Sequence, residues 1–403
     1  MRAPPSKSVL QRAILVSSLA RGRSFIRARR LCEDAKASVR AARRFGARVD
    51  AGLGGVAVES GVGTAGGAVD CGESGLTFRM AAAIAATFEV PFELRARGSL
   101  SQRPMGMIVG PLEALGASCE SGDRTGVLRV AGPMAGGREV EVDGRTTSQL
   151  LSGMLVALAA TPGGGIVTAP VRNSERYVDL TIGVLARHGV QVARREDGAY
   201  VLPEAGRLSP ASWAVEGDWS GASFALVAGA IAGGVTVDGL DNSSAQPDRG
   251  IVDALEAAGA RVRADSDRVT AGSGRLRGFV HDATHCPDLF PPLVGLACCC
   301  EGVSTIRGAG RLAAKESDRA AVLVKEFRAI GCDVRSEGDS LVVHGGAPAG
   351  GRVDANGDHR IAMAAAVVAL RSRDGVEIGG ADCVAKSYPA FFEDMGRLGA
   401  RVS

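Results

Sequence analysis

Apolar residues along this chain follow two helical patterns. One set of segments is apolar on nearly every side, as in TFRMAAAIAA and HRIAMAAAVVAL, and a second set is amphipathic and ends at a glycine, as in RRFGARV and EAAGARV. Stretches such as ARVRADSDRVTA lie between them and predict β-hairpins. The pattern predicts an α/β protein in which the apolar helices are buried and the amphipathic helices and sheets pack outside them.

A period in the glycines organises these elements. The glycines that end the amphipathic helices recur about every 70 residues: Gly46, Gly116, Gly189, Gly259, Gly331 and Gly399. The spacing predicts six α/β units in series. If the units group in threes, the boundary falls near residues 213–216. A cleft between two such halves, with helix N-termini directed into it, would suit a multiply anionic ligand.

The start of the chain departs from this period. A short strand precedes the apolar helix in the later units, as in GAVDCG and GRVDANG, but the first unit has only MRAPP there. The first strand of the first repeat is therefore expected to be missing, by truncation or by loss. The expected consequence is an unpaired sheet edge in the second half, which would weaken folding.

Composition narrows the class of partner. The chain has 403 residues, of which 46% are hydrophobic, so about two to three globular domains with full cores are expected. Aromatic residues make up only 4% and the formal charge is only +3, without a basic arm, which disfavours a nucleic-acid partner. No signal peptide or membrane-spanning run is recognisable, so we expect a cytoplasmic protein without a membrane partner.

Cysteine usage points to the same compartment. The nine cysteines lack paired zinc spacing and predict reduced thiols in a cytosolic protein. HDATHC, with His281, His285 and Cys286, has no partner pair nearby in sequence. No metal site is therefore predicted.

Cations, hydroxyls and amides collect at the starts of the apolar helices and on nearby loops. Taken singly, each cation is explained as well by a solvated surface position, but their placement at equivalent points of separate repeats predicts binding of phosphate and carboxylate. The helix-start residues are Lys7, Ser8, Arg12, Thr147, Ser148, Gln149, His359 and Arg360, and the further cations are Arg103, Lys315, Arg319 and Lys386.

Two acids stand among these cations. Asp288 follows Pro287 at the head of an apolar helix, where a helix cap is the alternative explanation. Glu316 follows Lys315, where a surface ion pair is the alternative. A carboxylate flanked by cations is held ionised, so either acid could serve as a base.

Ten motifs, in order along the whole chain, resemble those of the 5-enolpyruvylshikimate-3-phosphate synthase family: PPSKSVLQRA, CGESGLTFRM, QRPMG, TSQLLSG, SERYVDLT, VEGDWSGASF, PDLFPPL, KESDR, GDHRIAM and AKSYPAFF. The resemblance implies a two-domain inside-out α/β barrel of six βαβαββ repeats, three per domain. It implies a first domain over residues 6–214, a second over residues 215–403 plus 1–5, and an active site in the cleft between them.

The resemblance also implies an activity. The family transfers the enolpyruvyl group of phosphoenolpyruvate to the 5-hydroxyl of shikimate 3-phosphate and releases phosphate, on the way to chorismate and the aromatic amino acids. The partners are then these two small molecules. Addition and elimination need proton transfer and charge stabilisation, so no metal or cofactor is expected. We expect a monomer.

Roles follow from the resemblance wherever the motif matches. The residues implied to bind shikimate 3-phosphate are Lys7, Ser8, Arg12, Thr147, Ser148, Gln149, Ser174, Tyr177, Asp288 and Lys315. Those implied to bind phosphoenolpyruvate are Lys7, Gly75, Gln149, Arg103, Arg319, Arg360 and Lys386. Asp288 is implied to take the 5-hydroxyl proton, and Glu316 and Lys7 to move protons at the methylene carbon.

Some positions depart from the family's pattern. The family's common N-A-G-T reads Glu73-Ser74-Gly75-Leu76, and Glu73 is not expected to bind substrate. Arg311 stands near the place of a ligand Asn, and the run Cys298–Cys300 has no functional explanation.

Two alternatives stay open at this stage. The sister transferase that acts on UDP-N-acetylglucosamine usually begins its first helix with K-N-A and carries a Cys before R-P, whereas this chain reads SKS and RGSLSQRP. A non-catalytic relative that binds phosphorylated ligands would be expected to lose acids or cations that are all present here.

Overall fold

The computed structural model describes residues 1–103, 105–121, 126–145, 147–170, 174–204, 207–313 and 315–403. The chain forms two compact units. Lys7–Val215 is called the first unit, and Met1–Ser6 with Glu216–Ser403 is called the second unit. The chain therefore passes from one unit to the other twice, after Ser6 and after Val215.

The first unit alternates helices with short strands. Its helices are α1 (Lys7–Ser17), α2 (Glu33–Arg44), α3 (Gly75–Ala85), α4 (Val109–Ala114), α5 (Gln149–Ala160) and α6 (Glu175–Arg187). Its strands are β1 (Arg23–Arg27), β2 (Arg48–Gly52), β3 (Gly55–Glu59), β4 (Gly67–Gly72), β5 (Phe92–Ala96), β6 (Ser118–Ser121), β7 (Val127–Ala131), β8 (Arg138–Glu141), β9 (Gly165–Thr168), β10 (Ala193–Arg194), β11 (Tyr200–Leu202) and β12 (Ser212–Ala214).

The second unit has the same alternation. Its helices are α7 (Trp219–Ala232), α8 (Ile251–Ala257), α9 (Phe290–Cys298), α10 (Arg319–Ala329), α11 (His359–Ala369) and α12 (Phe391–Arg397). Its strands are β13 (Gly234–Asp238), β14 (Arg261–Asp265), β15 (Arg268–Gly272), β16 (Val280–Asp282), β17 (Val303–Arg307), β18 (Asp333–Glu337), β19 (Ser340–His344), β20 (Gly351–Asp354) and β21 (Val376–Gly379).

The apolar helices lie inside each unit. Every residue of α3 and α9 is buried, and α3 packs on α5 while α7, α9 and α11 pack on one another. Gly153 of α5 permits the close approach to α3, because a methyl group at Gly153 would lie 3.0 Å from the carbonyl oxygen of Arg79. The prediction that the apolar helices are buried is confirmed.

The six periodic glycines share one conformation. Each lies two residues beyond an amphipathic helix and has a left-handed φ, between 84° at Gly46 and 103° at Gly399. In each case the N–H of the next residue bonds back to the last helical turn, as Ala47 N–H does to the Ala42 carbonyl at 3.1 Å. This Schellman geometry explains why glycine recurs at these positions.

The sheets vary in size. Four sheets have four strands, in the orders β12-β1-β3-β2, β4-β5-β7-β6, β10-β11-β9-β8 and β16-β17-β19-β18, and each pairs one edge strand in parallel and the rest antiparallel. One sheet has three strands, β13-β15-β14, and one has two, β20-β21. The two-stranded sheet has fewer strands than the expected βαβαββ repeat implies, and the described residues 398–403 that follow α12 form no strand.

The edge expected to be unpaired is in fact occupied. β12, which precedes α7 in sequence, pairs in parallel with β1 and fills the edge of the first sheet. In the second unit Arg2 bridges Asp238 of β13, where Ala3 N–H donates to the Asp238 carbonyl and Asp238 N–H donates to the Met1 carbonyl, both at 2.9 Å. The expectation of an unpaired edge was wrong, because residues distant in sequence supply both pairings.

Within the described ranges, no helix is long and apolar enough to cross a membrane.

Candidate active site

Lys7 of the first unit is paired with a carboxylate. Lys7 is the first residue of α1, and its Nζ lies 3.0 Å from Oδ2 of Asp34, in the first turn of α2. Both side chains are about nine-tenths buried, at 12% and 8% exposure, so the pair is shielded from water and fixes the direction of the ammonium. Sequence analysis missed Asp34, since an acid in a first helical turn is equally explained by the helix dipole.

Arg12 ties three helices of the first unit together. Its Nε donates to Thr181 Oγ1 at 2.8 Å, and its Nη2 donates to Ser152 Oγ at 3.3 Å and to the Tyr177 carbonyl at 3.1 Å. Its Nη1 donates to the carbonyl of Ser8 at 2.9 Å. Burial lowers the pKa of Arg12 to about 10, which leaves it charged at neutral pH.

Gly75 and Gln149 are brought together by a residue that sequence analysis missed. Arg79, one helical turn after Gly75 in α3, donates from Nη1 to Gln149 Oε1 at 2.7 Å. Its buried Nε has no hydrogen-bond partner in the described part of the chain. Burial, with the charge of Arg103 adding to it, lowers the pKa of Arg79 to about 10. A methyl group at Gly75 would lie 2.8 Å from Arg79 Nη1, so the Arg79 guanidinium would have to shift to admit a side chain there.

The other predicted residues of the first unit lie at helix starts or in a turn. Thr147 Oγ1 accepts the backbone N–H of Gln149 at 3.2 Å, and Ser148 is the buried residue immediately before α5. Ser174, with a left-handed φ of 59°, precedes α6. Arg103 follows a short 3-10 turn and donates from Nη2 to Ser99 Oγ at 3.4 Å.

In the second unit, Asp288 is surrounded by cations. Its Oδ2 lies 2.8 Å from Arg360 Nη2, and its Oδ1 lies 3.0 Å from Arg319 Nη1 and 4.0 Å from Lys315 Nζ. Burial alone would raise the pKa of Asp288, but the charges of Arg360, Lys315 and Arg319 outweigh it and hold that pKa well below its usual range. Asp288 is therefore ionised while these cations face it.

Arg319 is the centre of this cluster. It is the first residue of α10 and is fully buried, and its guanidinium bonds to Glu316 Oε2 at 2.7 Å and to Asp358 Oδ2 at 2.8 Å. Burial would lower the pKa of Arg319, but Asp358, Glu316 and Asp288 raise it well above the ordinary value. Asp358 was missed by sequence analysis, which treated the GDHR motif as a helix start only.

Arg360 completes the cluster. Its Nη2 donates to Ser220 Oγ at 2.8 Å and its Nη1 bonds to His359 Nε2 at 2.8 Å. The buried Nε of Arg360 has no hydrogen-bond partner among the described residues. An anion could therefore be accepted at this edge of the guanidinium.

The structure thus brings five predicted residues of the second unit into one cluster: Asp288, Lys315, Glu316, Arg319 and Arg360. Lys386 is buried at the end of a 3-10 turn. Arg311 donates from Nη1 to the Thr284 carbonyl at 2.9 Å. Within the described ranges, no group of three His, Cys, Asp or Glu side chains is arranged to hold a metal ion.

The remaining positions that depart from the family's pattern, Glu73 and the run Cys298–Cys300, lie in surroundings that the structure describes. The carboxylate of Glu73 lies against Gly98, where a methyl group would lie 1.8 Å from Glu73 Oε1, so the absence of a side chain at Gly98 leaves the space for it. In the run Cys298–Cys300, burial raises the pKa of Cys299 and of Cys300 to about 12, so both thiols stay protonated at neutral pH.

The chain shares its mixed α/β fold with enolpyruvyl transferases of known structure. The enolpyruvyl transferase NikO from Streptomyces tendae superposes with a TM-score of 0.79 at 17% identity, over all of this chain and 94% of that one. The chain belongs to the EPSP synthase (3-phosphoshikimate 1-carboxyvinyltransferase) family, whose model matches residues 1–395.

Individual proteins of this family are similar to the chain in sequence and in structure. The 3-phosphoshikimate 1-carboxyvinyltransferase of Aeropyrum pernix is 39% identical and that of Methanocorpusculum labreanum 37% identical, over 100% and 99% of this chain and 93% and 96% of theirs. The structure of EPSP synthase from Acinetobacter baumannii matches with a TM-score of 0.83 at 26% identity, over 98% of this chain and 94% of that one.

Proposed function

We propose that this chain transfers the enolpyruvyl group of phosphoenolpyruvate to the 5-hydroxyl of shikimate 3-phosphate and releases phosphate. The observation that carries the proposal is the buried cluster in which Asp288 faces Lys315, Arg319 and Arg360, in a chain of this family. Cations and a carboxylate at one place suit a reaction that binds anions and moves protons.

The substrates carry about five negative charges between them, on two phosphates and two carboxylates. In the proposal, Arg319, Arg360 and Lys386 of the second unit hold phosphoenolpyruvate together with residues of the first unit: Lys7, Gly75, Arg103 and Gln149. Shikimate 3-phosphate is held by Lys315 and Asp288 together with Lys7, Ser8, Arg12, Thr147, Ser148, Gln149, Ser174 and Tyr177.

The reaction proceeds by addition and elimination. In the addition step, the 5-hydroxyl oxygen bonds to C2 of phosphoenolpyruvate, Asp288 takes the hydroxyl proton, and a proton from Glu316 or Lys7 goes to the methylene carbon. In the elimination step, the bond from C2 to the phosphate oxygen breaks and the methyl carbon returns a proton to the same pair. Asp288 gives the hydroxyl proton to the departing phosphate, which leaves as hydrogen phosphate, and all three groups regain their starting protonation states. The cations stabilise the charge on the tetrahedral intermediate and on the departing phosphate.

Asp288 needs a change in its surroundings before it can act as a base. While Arg360 and Arg319 face its two oxygens, its pKa is too low for it to hold a proton at neutral pH. The phosphate and carboxylate of phosphoenolpyruvate would compete for the same guanidinium groups. Binding of the substrate therefore raises the basicity of Asp288 when the hydroxyl is in place.

The test measures phosphate release by the purified chain. Release is expected with phosphoenolpyruvate plus shikimate 3-phosphate and not with phosphoenolpyruvate plus UDP-N-acetylglucosamine. Release only with the nucleotide sugar would assign the chain to the sister reaction. Release with neither, from protein shown to be folded by its thermal transition, would contradict the enzyme proposal.

A further inference from the structure

The buried guanidinium of Arg360 is held at three points. Nη2 is shared by Ser220 Oγ and Asp288 Oδ2, each at 2.8 Å, and Nη1 lies 2.8 Å from His359 Nε2. Because a guanidinium can only donate, Ser220 Oγ acts as an acceptor here. Of these two partners of Arg360 Nη2, the Ser220 hydroxyl is neutral, whereas the Asp288 carboxylate carries the negative charge that the proposed reaction needs.

Ser220 is not required to begin its own helix. It is the second residue of α7, where Asp218 caps the helix by accepting the N–H of Gly221 at 3.1 Å. The N–H of Trp219, the first residue of α7, donates to Gln246 Oε1 at 3.1 Å. The buried Ser220 hydroxyl therefore does not cap the helix and instead accepts a hydrogen bond from Arg360.

We propose that Ser220 is a positioning residue for the enolpyruvyl substrate: its hydroxyl holds Nη2 of Arg360 so that the partner-free Nε edge is presented to an anionic group of phosphoenolpyruvate. This inference rests on the proposed function. Without the hydroxyl, Asp288 is the remaining side-chain acceptor at Nη2 among the described residues, and Arg360 is expected to turn toward that carboxylate. The guanidinium is then displaced from the position in which it would bind the anionic group of phosphoenolpyruvate.

The chain provides a matched control for the test. Ser223 lies on the same helix and is fully buried, but its hydroxyl donates to the carbonyl of Ser220, at 2.7 Å, and does not contact Arg360. Ser220→Ala and Ser223→Ala therefore remove the same atom from the same buried helix. A purely structural effect of losing a buried hydroxyl would appear in both variants.

The expected result is a rise of about tenfold in the KM for phosphoenolpyruvate in Ser220→Ala, with the KM for shikimate 3-phosphate within about twofold of the parent. Ser223→Ala is expected to keep both values. In an Arg360→Lys background, Ser220→Ala should add little, because the residue acts through Arg360. Equal behaviour of the two alanine variants, or an equal rise in both KM values, would overturn the inference.

Direct binding separates this inference from the proposed function. Phosphoenolpyruvate is titrated calorimetrically into each variant in the presence of shikimate 3-phosphate that lacks the 5-hydroxyl and cannot react. A parent chain that binds but does not turn over contradicts the proposed function, and the Ser220→Ala to Ser223→Ala affinity ratio still decides the role of Ser220. A parent chain that does not bind phosphoenolpyruvate contradicts both.

Discussion

At the scale of single residues, the charge on Asp288 is controlled by its neighbours. Arg360 and Arg319 contact its two oxygens, and Lys315 lies 4.0 Å away. In the proposed function, anionic substrates compete for these contacts, and the carboxylate that is a stable ion without substrate then becomes a base.

Replacing Asp288 by Asn is expected to lower kcat about a hundredfold or more, because the amide keeps the shape of the side chain but cannot take the hydroxyl proton. Binding of phosphoenolpyruvate should not weaken, since Arg319 and Arg360 lose an internal competitor. Steady-state kinetics and calorimetric titration of the variant measure the two effects. A variant with unchanged kcat would remove Asp288 from the role of base.

Lys315 predicts a pH dependence of binding. Burial lowers the pKa of Lys315 to about 8, although the charge of Asp288 opposes the shift. The affinity for shikimate 3-phosphate is therefore expected to fall as the pH rises through about 8 and the ammonium is lost. Calorimetric titration from neutral to alkaline pH measures this fall, and Lys315→Arg, which stays charged, should remove it.

Unfolding does not account for such a loss of affinity. Between the folded pKa of Lys315, about 8, and the ordinary lysine pKa, 10.5, the unfolded chain binds the proton and the folded chain does not. This group therefore makes the free energy of unfolding rise with pH over that range. An affinity that does not change with pH would contradict a role for the Lys315 charge.

The site residues that the sequence analysis named differ from those it missed in how far along the chain their partners lie. Lys7, Arg319 and Arg360 stand in motifs at helix starts, and the local sequence shows both their charge and their place. Asp34 and Ser220 act through partners that are distant in the chain. Asp34 lies 27 positions after Lys7, and Ser220 lies 140 positions before Arg360. A local pattern does not contain such a pairing.

At the scale of helices, Asp358 has two duties. It caps α11 by accepting the N–H of Arg360 at 3.0 Å, and it holds the buried Arg319 at 2.8 Å. Glu316 and Asp288 contact the same guanidinium, so the buried charge keeps some partners when Asp358 is changed.

Asp358→Asn is expected to destabilise the second unit by about 2 to 3 kcal/mol, because Asn can still cap the helix but leaves the buried Arg319 with less compensating charge. The matched control is Asp318→Asn, which changes the exposed cap of α10 and should cost less than about 1 kcal/mol. Urea unfolding of both variants measures the difference. Equal midpoints would mean that the charge of Asp358 adds nothing beyond its cap.

The periodic glycines allow a cleaner test of backbone conformation. Gly116 has a φ of 96° and Gly110 lies within α4, and neither has an atom within 4 Å of a built Cβ. Gly116→Ala is therefore expected to destabilise by about 1 kcal/mol, and Gly110→Ala to stabilise by about 0.5 to 1 kcal/mol. Thermal unfolding of the two variants measures the opposite signs, and a shift of the same sign in both would contradict the conformational explanation.

At the scale of the whole molecule, the first unit is one continuous stretch and the second is not. Every sheet of Lys7–Val215 is complete within that stretch, since β12 supplies the last edge. The second unit uses Met1–Ala3 to cover the edge of β13. The glycine period predicted the repeated helix ends. It did not predict how the sheet edges are covered, which depends on contacts between residues distant in sequence.

Residues 7–215 expressed alone are therefore expected to unfold cooperatively as an independent domain. Residues 216–403 alone should be less stable and more prone to associate, because the edge of β13 is exposed. Joining residues 1–6 through a short glycine linker to residue 216 should restore solubility, which sedimentation and thermal unfolding can measure. If the linked and unlinked fragments behave alike, the N-terminal pairing contributes little.

The pairing of Met1–Ala3 with β13 also sets an order of events during synthesis on the ribosome. Asp238 leaves the ribosome on the order of tens of seconds after Ala3, at ordinary elongation rates. The first unit can be completed in that interval. Met1–Ala3 are thus translated long before their partner strand, and until that strand emerges the second unit has no covered edge at β13.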